Sequence, residues 1–366
     1  MKMYMGLEGV GKISCTNVLN VIREKKEISR KEISSITGLS WATMTKIINK
    51  LFEKGYIEET KTDILAGVGQ NSGLISICKE SNVVIGLDVN REGLSGCVLN
   101  LAGDIMKEYK PITVITNTKG RVELLKRAME SVKNQNYKGK VYHFIYIDEC
   151  PETLDFIEKN YKNDENVYYF YYKRKKDDLS GPSLLARLRN DAIEKCKTEW
   201  FAFLDDDNEY YPNHLQELMD FAIEQNCDAV FSNSEIYYRD GKPFLEKYWQ
   251  WERDPEKAKV RWNKMKEEGV VFEGSNERHF KYGVVIDTNA WMLKRDLVLK
   301  YKISDHFSEE DWINNLAEDD KLMFGLYNNN VRVLGNNKPT VKYYLGGYSN
   351  VFDGSVEGTI IWEKTK

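Results

Sequence analysis

Three consecutive carboxylates, Asp205, Asp206 and Asp207, follow the apolar run 200–204, which reads Trp-Phe-Ala-Phe-Leu. The run predicts a buried strand, at whose end three neighbouring carboxylates repel one another unless a cation or hydrogen bonds compensate. A hard divalent ion shared with diphosphate oxygens provides such compensation, and it neutralises charge that develops on a departing diphosphate. The triplet therefore predicts a Mn²⁺ or Mg²⁺ site, with a helix cap or a surface loop as the alternative.

The chain around this triplet alternates short apolar strands with helices. We predict strands over 112–116, 141–147, 167–171 and 200–204, and helices over 121–134, 153–160 and 183–196. This order predicts a mostly parallel α/β sheet with helices on both faces, in which ligands bind beyond the carboxyl ends of the strands. Asn117 and Asp148 follow the first two strands, so they are candidates for the same site. The basic run 173–176 follows the third strand, and its simpler interpretation is a solvated turn.

Several segments from residue 113 onward resemble glycosyltransferase family 2. The resemblance rests on Thr113-Val114-Ile115-Thr116-Asn117 with 121–128, on Arg189-Asn190-Asp191, on the triplet as a DXD motif, on 211–215, and on Ala317-Glu318-Asp319-Asp320 with 330–333. It covers about 111–348, and its motifs stand in the family's order. The resemblance implies a GT-A fold over 111–366, which is a Rossmann-like sheet that binds nucleotide sugars.

The same resemblance implies the activity. A member of this family is an enzyme of hexosyltransferase type, and the resemblance implies inversion at the anomeric carbon of the transferred sugar. The implied donor is a nucleotide sugar, with a UDP-sugar favoured, and the implied acceptor is a hydroxyl of a carbohydrate or glycan. The Gln-x-x-Arg-Trp motif of processive members is missing, because Ala258 stands where Gln would precede Arg261-Trp262. We therefore expect a single addition.

By matching position, the resemblance gives roles to five residues that bind the donor and the metal. Asn117 and Asp148 belong to the nucleotide site, with Asp148 on the nucleobase, and Arg189 lies near the nucleotide. Asp205 contacts the ribose or a metal-bound water, and Asp207 binds the metal directly, so that Asp205 and Asp207 form the metal site. The first strand departs from the family pattern, because Asn117 lies within Thr-Asn-Thr where Pro-x-Tyr-Asn is usual.

The general base implied by the resemblance is Asp319. A carboxylate suits this role because it can lie within hydrogen-bond reach of the acceptor hydroxyl. Asp311 has a similar local sequence and is the competing candidate. We favour Asp319 because the apolar spacing of Leu322, Met323 and Leu326 continues as the family's helix does.

The segment 240–282 is rich in Trp, Lys and Glu and is longer than a connection requires. Long ordered insertions beside a site often bind substrate, so we expect an acceptor-binding element or, alternatively, an oligomer contact. None of the four histidines has metal-ligand spacing, and His279 and His306 are only outside candidates for a further metal contact.

The N-terminal region predicts a different kind of domain. Ser29 and Glu32 form a capping box before a helix over 30–37, Gly38 ends that helix, and Ser40 caps a third helix over 41–54. Two helices joined by a tight turn, followed by a strand at 56–59, predict a winged helix-turn-helix over 1–65. DNA would bind through 29–59, in particular through Trp41, Thr43, Thr45, Lys46 and Lys50, whereas the alternative is a protein-interaction module.

The first 107 residues resemble a second family. Residues 28–59, then 67–73, 84–90 and 94–104, resemble the start of a ROK-type regulator, in which a winged helix-turn-helix precedes a sugar-kinase-like domain. The second lobe and the sugar-binding Glu-His pair do not follow, so 66–110 is predicted to be a truncated β-hairpin fragment or linker. We expect this fragment to pack on the next domain or to be poorly ordered. The competing function is a ROK-type transcriptional regulator whose C-terminal domain senses a nucleotide sugar.

The composition sets limits on these predictions. The 366 residues are 42% apolar and 30% charged, which is typical of a globular protein and excludes a disordered one. The six cysteines show no paired spacing, which argues against a structural zinc site or a disulfide framework. No apolar run reaches about 18 residues and no signal-peptide pattern is present, so we expect a cytoplasmic protein without a transmembrane segment.

Overall fold

The computed structural model describes residues 11–60, 73–90, 93–175, 178, 181–252, 254–314 and 316–347. The chain forms two compact units. The first consists of Met1–Val89 with Ser95–Tyr109, and the second of Asn90–Leu94 with Lys110–Lys366. Within the described ranges, no helix is long and apolar enough to cross a membrane.

The first unit begins with helices and ends with strands. Its elements are α1 (Gly11–Lys25), β1 (Glu27–Ile28), α2 (Arg30–Thr37), α3 (Trp41–Glu53), β2 (Ile57–Thr60), β3 (Leu74–Ile77), β4 (Val83–Asn90), β5 (Gly93–Asn100) and β6 (Ile105–Tyr109). Strands β1, β3 and β2 form an antiparallel sheet in that order. Strands β4, β5 and β6 form a second sheet, in which β5 and β6 are antiparallel. Three helices with a small sheet are the predicted winged helix-turn-helix.

The caps of α2 and α3 form as predicted. The Ser29 side chain accepts from the backbone N–H of Glu32, and the Glu32 carboxylate accepts from the Ser29 N–H. Gly38 ends α2 in the left-handed conformation at φ 68°. Ser40 caps α3 by accepting from the backbone N–H of Thr43. The apolar side chains of α3, spaced to lie on one face of the helix, are buried: Met44, Ile47, Ile48 and Leu51.

The fragment after the wing packs within the first unit. Leu101 is buried in the same cluster as the apolar side chains of α1 and α3, and Val84 and Ala102 lie against that cluster. The fragment therefore packs on the winged helix-turn-helix that precedes it. Strand β6 adds a third strand where the sequence predicted two.

The second unit contains one large sheet. Its strands are β7 (Ile112–Thr118), β8 (Val141–Asp148), β9 (Val167–Tyr172), β10 (Trp200–Phe203), β11 (Glu209–Tyr210), β12 (Ala229–Tyr237), β13 (Glu277–Arg278), β14 (Trp291–Lys294) and β15 (Leu334–Tyr344). The order is β11-β15-β12-β14-β10-β7-β8-β9, and β13 pairs with β12. Strands β10, β7, β8 and β9 are parallel, as predicted, whereas β14 is antiparallel to both β10 and β12. The sheet is therefore mixed.

Helices cover both faces of this sheet. They are α4 (Val122–Lys133), α5 (Pro151–Tyr161), α6 (Pro182–Lys195), α7 (His214–Gln225), α8 (Pro255–Glu267), α9 (Arg295–Tyr301), α10 (Glu309–Ile313) and α11 (Glu318–Asn328), with a 3₁₀ turn at Thr288–Ala290. Successive side chains along each strand point to opposite faces of the sheet, so each strand contributes to both layers. In β10, Phe201 and Phe203 pack with α6 residues, whereas Trp200 and Ala202 pack with α7 residues.

The segment 240–282 forms a small cluster of its own. Asp254 caps α8 by accepting from the backbone N–H groups of Glu256 and Lys257. The buried face of α8 then brings Trp262 and Met265 against Trp249, Val270 and Val271. The insertion is thus held by an apolar core, which confirms that it is ordered where the structure describes it.

Candidate functional site

The strand ends that the sequence singled out lie at one edge of the sheet. Strand β7 pairs in parallel with both β8 and β10, and the backbone N–H of Leu204 donates to Ile115 at 3.0 Å. Asn117, Asp148 and Asp205 therefore emerge side by side from three adjacent parallel strands. This is the edge where α/β sheets bind ligands.

Asp205 is held by two side chains from elsewhere in the chain. Asn289 accepts from the backbone N–H of Asp205 at 2.6 Å and donates through Nδ2 to its carboxylate at 2.9 Å. Arg189 donates through Nη2 to the other carboxylate oxygen at 2.9 Å. The Asp205 side chain nevertheless keeps 33% of its surface exposed, so it remains accessible to a ligand.

Arg189 links the triplet to the late acidic motif. The side chain is buried, and its Nη1 donates to the Glu318 carboxylate and, at 3.1 Å, to the Thr288 hydroxyl. Its guanidinium lies 5.2 Å from the centre of the Phe203 ring. Glu318 is also buried, and it is the first residue of α11. The arginine therefore fixes the start of α11 against the end of β10.

Asp206 and Asp207 share a second arginine. Arg121, which precedes α4, donates through Nε and Nη2 to Asp206 and through Nη1 to Asp207 at 2.7 Å. Asp206 is fully buried, whereas the Asp207 side chain is 13% exposed. Burial raises the pKa of both carboxyls, and the Arg121 guanidinium opposes that rise. The triplet thus carries the hydrogen bonds that its mutual repulsion was predicted to require.

Divalent metal is implied by the resemblance, and the side chains at this edge are compatible with it. Mg²⁺ and similar ions are usually bound by one or two carboxylates together with substrate phosphates. Asp205 and Asp207 both have exposed surface, and Asp206 is too deeply buried to take part. Within the described residues, no group of three or more His, Cys, Asp or Glu could hold a metal ion. The donor set therefore fits an ion held jointly with a diphosphate.

Asp148 and Asn117, the two candidate nucleotide contacts, differ in their hydrogen-bond partners within the protein. Asp148 is buried and accepts from Arg174 Nε at 2.8 Å and Nη2 at 2.5 Å, and Lys119 Nζ lies 3.7 Å from it. Arg174 belongs to the basic run after β9, so that run reaches the site instead of being only a solvated turn. Both amide atoms of Asn117 are shielded from solvent and have no hydrogen-bond partner. Buried polar atoms are rarely left without a partner, so these two point to a ligand.

The two candidate bases lie in different surroundings. Asp311 lies in a capping box with Ser308 and pairs with Lys321 at 2.7 Å, and these bonds lower its pKa to about 2. Asp319 lies beside Glu318 at the start of α11, and burial raises the pKa of its carboxyl well above the ordinary value.

A fourth carboxyl, which the sequence did not single out, joins the site. Asp287 accepts from Asn289 twice, from its backbone N–H at 2.9 Å and from Nδ2 at 2.7 Å. Burial, together with the neighbouring Asp205 carboxylate, raises the pKa of Asp287 to about 6. Asn289 therefore bridges the carboxylates of Asp205 and Asp287.

The histidines serve the fold. His143 and His214 are buried and bond to Thr116 and Thr340, at 2.9 Å and 2.8 Å. His279 pairs with Glu277 at 2.9 Å, and His306 is exposed. Neither of these last two belongs to a described cluster able to hold a metal.

Sequence reasoning missed the residues that organise the acidic triplet. Arg121 and Asn289 hold it, and Glu318 and Asp287 extend it, although each comes from a distant part of the chain. The residues Arg121 and Glu318 stood inside quoted motifs, next to positions that received roles. Nothing local marked Asn289, because an asparagine in a short turn is common.

Comparison with known proteins gives two family matches. The model of the family described as "Glycosyl transferase family 2" matches residues 113–297. The model described as "Winged helix-turn-helix DNA-binding" matches residues 16–58. These matches confirm both predicted resemblances at the level of the domain, and with them the predicted fold class of a GT-A sheet preceded by a winged helix-turn-helix.

Individual relatives match only in part. The putative teichuronic acid biosynthesis glycosyltransferase TuaG of Bacillus subtilis is 27% identical over 146 residues, which are 39% of this chain and 54% of the relative. The xylose repressor of Caldicellulosiruptor bescii is 28% identical over 131 residues, or 33% of this chain and 31% of the relative. The chain thus spans about half the length, or less, of these curated relatives.

Solved structures give a weaker likeness. The crystal structure of S. aureus TarS 1–349 in complex with UDP-GlcNAc superposes with a TM-score of 0.43 and 18% identity. It covers 64% of this chain and 58% of that one.

Proposed function

Because the chain belongs to glycosyltransferase family 2, we propose that it inverts the anomeric carbon of a sugar that it transfers, with a divalent metal, from a nucleotide sugar to an acceptor hydroxyl. One observation carries the proposal. Arg189 bonds to Asp205 and to Glu318 at once, so the proposed metal site and Asp319, the proposed base, lie on either side of a single guanidinium. Donor and acceptor chemistry can therefore take place at one edge of the sheet.

Asn117 and Asp148 are the proposed nucleobase contacts. The uracil edge offers one N–H donor between two carbonyl acceptors. A carboxylate such as Asp148 can accept from that N–H, and the unpartnered amide of Asn117 can donate to a carbonyl. This complementarity supports a UDP-sugar as the donor. Arg174, now bound to Asp148, is placed to change partners when a nucleotide enters.

Asp205 and Asp207 are the proposed holders of the divalent ion, with Asp205 also in reach of the ribose. The bound ion supplies charge neutralisation for the diphosphate that leaves. The other contributions come from the chain itself. Arg189 orients the Asp205 carboxylate, and Asn289 keeps the loop after β10 in place.

Asp319 is the proposed general base. Burial raises the pKa of its carboxyl, and the Arg189 guanidinium opposes that rise. Asp319 then accepts the proton of the acceptor hydroxyl as that oxygen attacks the anomeric carbon. Attack opposite the leaving group gives inversion.

The acceptor is proposed to be a carbohydrate or glycan, added to once. The insertion cluster around Trp249 and Trp262 remains the predicted acceptor-binding element, with an oligomer contact as its alternative.

Hydrolysis or transfer of UDP-sugars in the presence of Mn²⁺ or Mg²⁺ tests the proposal. The wild-type protein should release UDP, chelation should abolish the release, and Asp207→Ala should reduce it by at least about tenfold. Asp155→Asn, which removes an exposed carboxylate on α5, is the matched control and should leave the rate unchanged. Equal rates in wild type and Asp207→Ala would refute the site.

A second function, DNA binding, is supported by the N-terminal unit. Trp41 is 57% exposed at the start of α3, and Thr43, Lys46 and Lys50 are exposed on the same helix, whereas Thr45 is half-buried. This surface lies within the matched winged helix-turn-helix and within 29–59. A mobility-shift assay with the double variant Lys46→Gln and Lys50→Gln tests the function. Sequence-specific, salt-sensitive binding that the variant loses would support it, and equal binding would refute it.

A further inference from the structure

Arg121 holds Asp206 and Asp207 unequally. Two of its N–H groups, Nε and Nη2, donate to Asp206, and only Nη1 donates to Asp207, at 2.7 Å. Asp206 is fully buried, so its two bonds are shielded from water, whereas Asp207 keeps exposed surface. The single bond to Asp207 is therefore the one that can break while the guanidinium stays in place.

The main chain around Asp207 is fixed independently of Arg121. Arg127 donates through Nη2 to the Asp207 carbonyl oxygen at 2.7 Å. Arg127 itself pairs with Glu209 at 3.0 Å and lies 3.9 Å from the centre of the Tyr344 ring. The next residue, Asn208, is buried and accepts from the backbone N–H of Tyr344 at 2.9 Å. A change of partner at Asp207 therefore requires only a side-chain movement.

We propose that Arg121 is a positioning residue that neutralises Asp206 and Asp207 in the ligand-free enzyme and releases only Asp207 when donor and cation bind together. The inference rests on the proposed function and adds that cation binding and donor binding at this site are coupled. While Nη1 occupies Asp207, that carboxylate is a poor ligand for a second positive charge. A nucleotide diphosphate supplies replacement acceptors for Nη1, because guanidinium groups bind phosphate oxygens well.

Coupled binding follows from this arrangement. The free protein should bind a divalent ion weakly, and a nucleoside diphosphate should strengthen that binding. By linkage, the ion should strengthen nucleotide binding by the same factor. Removal of the Arg121 guanidinium should make ion binding less dependent on the nucleotide, since Asp207 is then available to the ion in the nucleotide-free protein.

Titration of the full-length, metal-stripped protein with Mn²⁺ tests the inference, with free Mn²⁺ followed by electron paramagnetic resonance. Wild type, Arg121→Gln and Arg121→Lys are compared in the absence and presence of UDP. Lys126→Gln is the matched control, because it removes an exposed cation from α4, the helix that Arg121 precedes. Thermal unfolding of each variant reports whether the fold is retained.

The inference predicts that Arg121→Gln binds Mn²⁺ alone about tenfold more tightly than wild type, which is the factor expected for loss of one competing charge-assisted hydrogen bond. UDP should then improve Mn²⁺ binding less than in wild type. Lys126→Gln should match wild type. Arg121→Lys, which retains the charge but cannot span both carboxylates, should lie between wild type and Arg121→Gln and keeps the test valid if the Gln variant unfolds.

Two results would overturn the inference and are distinguishable. If UDP strengthens Mn²⁺ binding in wild type but Arg121→Gln binds Mn²⁺ alone no more tightly, the role of Arg121 is wrong and the proposed function stands. If wild type binds no Mn²⁺ even with UDP, the proposed metal-dependent function fails, and the role of Arg121 fails with it.

Discussion

Asn289 holds Asp205 at both its backbone and its side chain. The amide oxygen accepts from the Asp205 N–H at 2.6 Å, and the amide nitrogen donates to the Asp205 carboxylate at 2.9 Å. One fully buried side chain thus sets both the path of the loop after β10 and the direction of its first carboxylate. The same nitrogen also donates to Asp287, so one donor bridges the two carboxylates.

Asn289→Ala should therefore weaken the site through Asp205. Loss of the amide leaves a buried N–H and two carboxylates without their donor, which should lower the free energy of unfolding by about 1–3 kcal/mol. Binding of UDP with Mn²⁺ should weaken by at least about tenfold. Calorimetry of binding and thermal unfolding measure the two effects. Asn163→Ala, at an exposed position after α5, is the control and should change neither.

Asn117→Ala should weaken UDP binding with little effect on stability. Both Asn117 amide atoms lack partners in the protein, so their removal should change stability by less than about 1 kcal/mol while UDP affinity falls. Asn190→Ala is the contrast. Asn190 donates to the Ile303 carbonyl at 2.7 Å and accepts from its N–H at 3.0 Å, so its removal should destabilise the fold. Loss of stability in Asn117→Ala with unchanged UDP affinity would show that Asn117 is structural.

Asp319→Asn should lower kcat by about 10²- to 10⁴-fold, as expected for loss of a general base, with little effect on donor affinity. Asp311→Asn should leave kcat close to wild type, because Asp311 serves as a helix cap and ion-pair partner. Steady-state rates with a fixed donor concentration distinguish them. A large loss of kcat in Asp311→Asn alone would reverse the assignment.

The pH dependence of stability should report on Asp311. Its pKa is lowered from an ordinary value of 3.8 to about 2, first by the bond to Lys321. A lowered pKa means that the ionised group stabilises the fold above pH 4, and that this contribution is lost as the pH falls toward 2. The difference in Tm between wild type and Asp311→Asn should therefore be full at pH 6 and shrink through this window. A difference that is constant from pH 6 to pH 2 would contradict the assignment.

Local signals in the sequence predicted much of the fold. The capping box at Ser29 and Glu32 and the left-handed Gly38 set the ends of α2 through contacts within a few residues, so they could be read directly. The strand that ends before Asp205 was predicted by an apolar run, and its place at the ligand-binding edge followed from α/β topology. Glycosyltransferase family 2 and the winged helix-turn-helix were predicted from motifs in the sequence, and the family matches confirm both.

Contacts between distant segments could not be predicted in this way. Arg121 meets Asp207 across 86 positions in the chain, and Asn289 meets Asp205 across 84. The antiparallel direction of β14 could not be predicted either, because its apolar residues fit a parallel or an antiparallel neighbour equally well. The packing of Leu101 against the winged helix-turn-helix could not be predicted for the same reason, since an apolar strand does not specify which surface covers it.

The central claim is that Asp205 and Asp207 bind a divalent cation together with the diphosphate of the donor. Calorimetric titration of UDP into metal-stripped protein, with and without Mn²⁺, tests it most directly when wild type is compared with Asp207→Asn. The account predicts that Mn²⁺ strengthens UDP binding at least about tenfold in wild type and has little effect in the variant. UDP affinity that is indifferent to Mn²⁺ in wild type, or equally enhanced in Asp207→Asn, would contradict it.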